Sequence, residues 1–184
     1  MFNLLVPNKE HDEKIIMLLR RHWFIIWLKI FFFGLAGILP VIFYFMELPF
    51  FNNINQNNIG HALLILSTSV YYLYIWLFLF VAFVDYYLDV WIVTNKRILN
   101  VEQHGLFHRT VSEQRLYRIQ DVTSELKGIF STMFNYGTVH IQTAGEKARF
   151  VFKEVPDPHN IAKKVMMMAE QSKKFKWVME NEKL

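Results

Sequence analysis

Two long runs of apolar residues stand out in the first half of the chain. The run over 23–46 carries Lys29 as its only charge, and the run over 62–84 carries no charge. As a helix, each run would extend about 35 Å, which is enough to cross the hydrocarbon core of a bilayer. No small-residue cleavage site follows the first run, so a signal peptide explains it poorly. The pattern predicts two retained transmembrane helices, 23–46 and 62–84, joined by a short external loop at 47–61.

The pattern changes directly after residue 84, where short apolar runs alternate with polar turns. In "GTVHIQT", Val139 and Ile141 lie on one side of an extended chain, and the polar residues lie on the other. Similar runs predict at least five antiparallel strands, curled to hide their edges. Asp157 as an N-cap and Pro158 at the first helical position predict a final helix. We therefore predict a domain at 88–172, a cytoplasmic N-terminal segment at 1–22 and a C-terminal tail at 173–184.

Basic residues set the predicted orientation. Lys and Arg precede the first run and soon follow the second, whereas 47–61 contains neither. The positive-inside rule then predicts a multi-pass protein of the cytoplasmic (inner) membrane with both termini in the cytoplasm. Four side chains are predicted as anchors at the inner interface: Trp23, Trp27, Lys29 and Trp91. In the tail, Phe175 and Trp177 leave two alternatives open, a helix on the membrane surface and a frayed end.

Catalytic and metal-binding chemistry has no signature in this sequence. The chain has no Cys, its seven His are dispersed, and neither H-E-x-x-H nor a glycine-rich phosphate loop occurs. We predict no catalytic residue, no metal, no cofactor and no enzymatic activity. Asp85 and Asp89 stand where the second predicted helix leaves the bilayer. We interpret them as solvated carboxylates that mark this exit.

Five motifs follow one another in the second half of the chain: "TNKRIL", "HGLFHRT", "QRLYRIQDV", "NYGTVHIQTAG" and "FVFKEVPDP". Together they resemble the bacterial pleckstrin-homology-like (PH-like) domain family, also described as membrane-flanked domains. The resemblance covers roughly 89–171 and implies a partly open antiparallel β-barrel capped by a C-terminal helix. Members commonly carry transmembrane helices directly before the domain. The expected fold is therefore an α+β membrane protein, with two transmembrane helices followed by a PH-like β-barrel and a C-terminal α-helix.

Basic side chains are the remaining candidates for a binding site. From Asp85 onward the chain has fifteen Lys and Arg against twelve Asp and Glu, a balance too even for a nucleic-acid module. Five basic residues could contact anionic lipid headgroups or a partner: Lys96, Arg97, Arg109, Arg115 and Arg118. The alternative is structural, with these arginines in salt bridges to Glu113, Asp121 and Glu125 or solvated on ordinary strand faces.

Three functions are then open. The first is a non-enzymatic, membrane-anchored interaction or scaffolding module at the cytoplasmic face, which binds protein partners or self-associates. The second is a sensor of anionic lipid headgroups. The third is a small envelope-stress or transport-associated component that acts through its helical hairpin, as a homo-oligomer. The sequence favours the first, because a domain so close to its helix has little freedom to search the cytoplasm. The expected partners are the lipid bilayer and an unidentified membrane or cytoplasmic protein.

Overall fold

The computed structural model describes residues 10, 12–46, 58–143 and 150–182, which form two compact units. The helical unit is Trp23–Val84. The other unit combines the chain before residue 23 with the chain from Asp85 onward, and we call it the domain. Most of the predicted external loop, 47–57, lies outside the described residues.

Two helices account for the apolar runs. Helix α1 spans Trp23–Phe45, and helix α2 spans Asn58–Leu88. Both are long and apolar enough to cross a membrane. Large apolar side chains such as Phe31 and Leu66 are exposed along them, so both helices present surfaces suited to an apolar environment. Helix α2 continues four residues past the predicted end at residue 84, and its last turn belongs to the domain.

Two tyrosines of α2 contact the middle of α1. Tyr71 Oη donates a hydrogen bond to the Ala36 carbonyl at 2.8 Å, and Tyr72 Oη donates to the Gly37 carbonyl at 3.0 Å. Small side chains at 36 and 37 leave these carbonyls accessible to a neighbouring helix. The two helices are thereby joined by polar contacts within an otherwise apolar pair.

Among the described residues, seven strands form two antiparallel sheets in the domain, so the predicted α+β class is confirmed. The strands are β1 (Ile15–Arg20), β2 (Val90–Thr94), β3 (Arg97–His104), β4 (His108–Arg115), β5 (Ile119–Glu125), β6 (Tyr136–Thr143) and β7 (Phe150–Pro156). The first sheet has the order β1-β2-β3-β4, and the second has the order β5-β6-β7. Two further helices, α3 (Ile129–Phe134) and α4 (Pro158–Asn181), complete the domain.

The predicted barrel needs correction. Within the described ranges, no strand ladder joins the two sheets, so they do not close into a barrel. The chain leaves β4 through a 3₁₀ turn, Leu116–Arg118, and β5 then pairs with β6. A helical turn at this point interrupts the extended backbone that a ladder between β4 and β5 would need.

Strand β1 is the main element that the sequence analysis did not predict. It pairs antiparallel with β2, from Ile15 opposite Thr94 to Arg20 opposite Val90. Helices α1 and α2 are therefore inserted between two neighbouring strands of one sheet. With β1 on one side and β3 on the other, β2 is a central strand, and all five of its residues are buried.

The core of the domain lies between the sheets and α4. Trp91 is fully buried there, and its ring centroid lies 5.8 Å from that of Phe152. Val165 and Ala169 of α4 belong to the same core cluster. The prediction that Trp91 anchors the chain at the membrane interface is therefore wrong, because no part of its side chain reaches the surface.

Helix α4 begins as predicted at Pro158, with the Asp157 carboxylate accepting a hydrogen bond from the Asn160 N–H at 3.4 Å. It continues to Asn181, so most of the predicted tail is helical. Phe175 and Trp177 are both exposed on this extension.

Candidate functional site

The chain passes between the first sheet and the two helices through residues 20–22 and 85–89, which we call the junction. Arg21 connects the two segments, because its Nη2 lies 2.6 Å from Asp89 Oδ2. Its Nη1 lies 3.6 Å from Glu154 Oε2 on β7. The Asp89 side chain is 4% exposed, so Arg21 neutralises a carboxylate that would otherwise be costly to bury.

Two aspartates of the junction hold the turn between β3 and β4. Asp89 Oδ1 accepts a hydrogen bond from the Gln103 N–H at 2.7 Å, and Asp85 Oδ1 accepts one from the Gly105 N–H at 3.0 Å. Gln103 Nε2 also donates to the Gly105 carbonyl at 2.6 Å. The interpretation as a solvated carboxylate is therefore wrong for Asp89, which is buried, whereas Asp85 is partly exposed. Both satisfy backbone donors of the turn.

His22 connects the junction to the second sheet. Its backbone N–H donates to the Glu154 carbonyl at 2.7 Å, and its ring stacks on Tyr136 with centroids 5.3 Å apart. Burial lowers the pKa of His22, because the charged imidazolium loses hydration there. Glu154 has a φ of +56°, a left-handed conformation that a non-glycine residue adopts at some cost. The contacts of its carbonyl and carboxylate with residues 21 and 22 oppose that cost.

The turn between β3 and β4, with the first residues of β4, forms an exposed projection that we call the hairpin tip, residues 105–109. Gly105 has a φ of +70°, which the turn requires and which glycine adopts without strain. Leu106 is 40% exposed and Phe107 is 98% exposed. Arg109 follows on β4 and is also exposed.

The opposite end of the first sheet, which we call the far end, is fastened by a buried ion pair. Arg97 Nε lies 2.9 Å from Glu13 Oε1, and the two side chains are 7% and 1% exposed. Arg97 also pairs with Glu113 through Nη1. Thr94 Oγ1 donates to Glu13 Oε1 at 2.9 Å. The N-terminal segment is thus bound to the β2–β3 turn by charge as well as by the β1 ladder.

The hydrogen bonds of this pair shift both pKa values. Burial alone would raise the pKa of the Glu13 carboxyl, but donation from Arg97, the Glu10 backbone and Thr94 holds it below its usual range. The hydrogen bond to Glu13 raises the pKa of Arg97 further above its already high value. Both groups are therefore charged at neutral pH, in a setting where each depends on the other.

The five predicted basic contact residues do not form one surface. Arg97 is buried, while Lys96 and Arg115 lie beside it and pair with Glu10 at 3.4 and 2.9 Å. Arg109 is opposite Gln103 near the hairpin tip, six residues along β3 from Arg97, or about 20 Å. Arg118 is exposed on the 3₁₀ turn. The pairing of Arg97 with Glu113 is one of the salt bridges that the structural alternative named.

An open groove of about 460 Å³ lies between β5 and α4. Val122, Thr123 and Ser124 line its strand side, and Met166, Met167 and Lys163 are among the helix residues. Hydrogen bonds from the Val122 N–H and the Thr123 hydroxyl to Asp121 occupy part of the strand edge. The groove is therefore a shallow mixed surface and not an enclosed ligand cavity.

The other predicted site residues lie in the helical unit. Trp23 and Trp27 are more than half exposed, and Lys29 is partly exposed. In the part of the chain that the structure describes, no group of three or more His, Asp or Glu residues could hold a metal ion.

Sequence reasoning missed the acidic residues and the arginine that organise the junction and the far end. Asp89 and Arg21 carry no local motif, and they meet only because β1 pairs with β2 across the 69 residues from 21 to 89. One signal was present in the sequence. Asp89 interrupts a run of large apolar residues at the start of a buried strand, and a charge in that position needs a partner.

Two solved structures are similar to part of this chain. A DUF1696 family protein with a pleckstrin-homology domain from Shewanella loihica PV-4 has 19% identity and a TM-score of 0.37, over 44% of this chain and 70% of that one. A pleckstrin homology domain from Shewanella amazonensis SB2B has 20% identity and a TM-score of 0.33, over 44% and 74%. No curated protein matches the chain.

A family model described as bacterial PH domain matches residues 25–169 of the 184. The match covers both apolar helices and the domain from β2 into α4, and it begins after β1. The resemblance inferred from the five sequence motifs is confirmed. The chain belongs to the bacterial PH domain family.

Proposed function

We propose that this protein is a membrane-anchored PH-like interaction module of the cytoplasmic membrane, without enzymatic activity, which binds a protein partner or a further copy of itself at the cytoplasmic face. PH-like domains generally act as interaction or lipid-binding modules, which supports this class of function. The observation that carries the proposal is the pairing of β1 with β2 around the two apolar helices. The domain is connected to the helical pair on both sides, through β1 before the first helix and β2 after the second.

The connections between strands and helices are very short. Two residues separate β1 from α1, and Asp89 alone separates α2 from β2. The Arg21–Asp89 ion pair then joins the two connections to each other. A domain held at both ends can search little volume, so it suits a fixed platform for neighbouring proteins better than a tethered domain that samples the cytoplasm.

The same pairing supports one topology. The pairing of β1 with β2 in one sheet favours a chain that enters and leaves the membrane on the same side. Basic residues around the junction, including Arg20 and Arg21, favour the cytoplasmic side. Both termini are then cytoplasmic, and the segment between the helices is external.

Cysteine labelling in intact cells tests this topology, because the chain has no native Cys. We expect a membrane-impermeant maleimide to label Asn53→Cys in intact cells. Lys14→Cys and Thr132→Cys, both exposed on the domain, should be labelled only after permeabilisation. Labelling of Lys14→Cys in intact cells would refute the cytoplasmic placement.

Photo-crosslinking in living cells tests the interaction role. A photo-crosslinking amino acid at Thr123 samples the groove, and one at Thr132 on α3 serves as a matched exposed control. We expect position 123 to give a discrete adduct, either of twice the chain mass or with one protein of another size. Failure of every exposed position of the domain to crosslink to protein would contradict the proposed function.

A further inference from the structure

The hairpin tip is held next to the end of the second apolar run. Asp85, whose carboxylate binds the Gly105 N–H at 3.0 Å, directly follows the last residue of that run, Val84. The Asp89–Gln103 bond fixes the next residues of β3 in the same way. The position of the tip is therefore set by Asp85 in the last turn of α2 and by Asp89 directly after the helix.

The tip also lies at the end of the first sheet where the chain connects to both helices. Arg20 is opposite Val90 at this end, whereas the Glu13–Arg97 pair closes the far end. The chain therefore reaches both apolar helices from the tip end of the first sheet. This direction follows from strand register and chain connectivity alone.

The side chains of the tip suit a membrane interface. Phe107 is 98% exposed and Leu106 is 40% exposed, so two adjacent large apolar groups project from a polar hairpin. Arg109 supplies an exposed positive charge two residues after Phe107. In an anionic leaflet, the phosphate groups lie outside the acyl chains. The tip has the same order, with two apolar side chains followed by a cation.

We propose that the hairpin tip inserts Leu106 and Phe107 into the boundary between headgroups and acyl chains of the leaflet that the two helices enter, with Arg109 contacting lipid phosphate. This inference rests on the proposed function, because it requires α1 and α2 to span the bilayer. It assigns the lipid contact to the turn between β3 and β4, about 20 Å from the Lys96 turn. The first sheet is then fixed to the membrane at three points, namely both helix connections and the tip.

Depth-dependent quenching in the full-length protein tests the insertion. Phe107→Cys is labelled with an environment-sensitive fluorophore in nanodiscs of mixed zwitterionic and anionic lipid, some carrying a spin label high on the acyl chain. Lys14→Cys, exposed at the far end, is the matched domain control, and Leu35→Cys in the middle of α1 reports the span itself. We expect blue-shifted emission and strong quenching at 107, and neither effect at 14.

The outcomes distinguish a failure of the tip insertion from a failure of the membrane anchor. Lipid quenching at 35 together with water-like emission at 107 would overturn the insertion and leave the membrane anchor intact. Absence of lipid quenching at 35 would overturn the anchor itself. Blue-shifted emission at 107 without lipid quenching would mean that protein covers the tip, which also contradicts the insertion.

The lipid phosphate contact has its own test. Adding Arg109→Glu to the labelled Phe107→Cys protein should reduce quenching at 107, and the reduction should be larger in anionic nanodiscs than in purely zwitterionic ones, whose phosphates are partly neutralised by the headgroup cation. Arg118→Glu, an exposed arginine on the 3₁₀ turn, is the matched charge control. An equal effect of both substitutions would refute a specific role of Arg109.

Discussion

At the residue scale, the far end shows how charge fastens the N-terminal segment to the rest of the domain. Glu13 and Arg97 are almost fully buried, and each satisfies the charge of the other. Such a pair contributes little net stability compared with apolar residues, but removal of one partner leaves a buried charge unpaired. The contact therefore selects one position for the chain before β1.

Arg97→Ala should lower the free energy of unfolding by about 3–5 kcal/mol, because it leaves the Glu13 carboxylate buried without its partner. Arg118→Ala, at an exposed position, should change it by no more than about 0.5 kcal/mol. Denaturant unfolding in detergent, followed by tryptophan fluorescence, measures both. The double variant Glu13→Gln/Arg97→Met should recover part of the loss, and full additivity of the single effects would contradict the coupling.

Acid should destabilise the domain in two steps. The pKa of His22 is lowered by burial, so below about pH 6.5 the unfolded chain binds a proton that the folded chain does not, and stability falls. The pKa of Glu13 is lowered in the folded state, so its contribution is present above about pH 4.5 and is lost as pH falls through the folded value.

Two substitutions assign these steps. His22→Phe keeps an aromatic ring against Tyr136 and should remove the step nearer neutrality, while Glu13→Gln should weaken the more acidic one. The midpoint of denaturant unfolding between pH 7 and pH 4 provides the measurement. An unchanged pH profile in His22→Phe would show that burial of this imidazole does not control the upper step.

At the element scale, long helices and alternating strands could be predicted from the sequence, but β1 could not. The segment "IIMLLR" lacks the alternation of apolar and polar residues that identified β6. Met17, Leu18 and Leu19 are consecutive and all partly buried, so no polar face marks the strand. The segment that forms β2 lies in the strand-rich region predicted after residue 84, yet its full burial depends on β1. Trp91 was consequently misassigned to the interface, since its position next to an apolar helix suggested an aromatic belt.

A fragment that begins at residue 85 should not fold stably, because it leaves the buried strand β2 as an open apolar edge. Joining residues 10–22 to residues 85–184 through a short Gly-Ser linker restores β1 and the Arg21–Asp89 pair. We expect the joined protein to be monomeric and to unfold cooperatively. Size-exclusion chromatography and circular dichroism compare the two, and equal behaviour would show that β1 is dispensable.

At the scale of the whole molecule, the two helices form an insertion between neighbouring strands of one sheet. The sequence analysis placed a complete domain after the helices, because local patterns do not reveal that strands on either side of a long insertion pair. The family resemblance correctly identified the PH-like class and the final helix. The contacts of the junction residues could not be predicted for the same reason, since they depend on that long-range pairing.

Because of this insertion, the chain leaves the first sheet at β1 and returns to it at the neighbouring strand β2. Movement of either helix end relative to the other would have to break the β1–β2 ladder or the Arg21–Asp89 pair. Under the proposed function, a partner bound to the domain would be held close to the membrane.

A disulfide between β1 and β2 tests whether the two strands pair in the membrane-embedded protein. Leu18 and Ile92 are register partners, and the chain has no native cysteine that could form a competing disulfide. A protease site inserted within residues 47–57 allows the helices to be separated after oxidation in the membrane. We predict that Leu18→Cys/Ile92→Cys holds both pieces together until reductant is added, whereas Ile16→Cys/Ile92→Cys does not. Separation of the Leu18/Ile92 pieces without reductant would contradict the pairing of β1 with β2 and the anchored platform built on it.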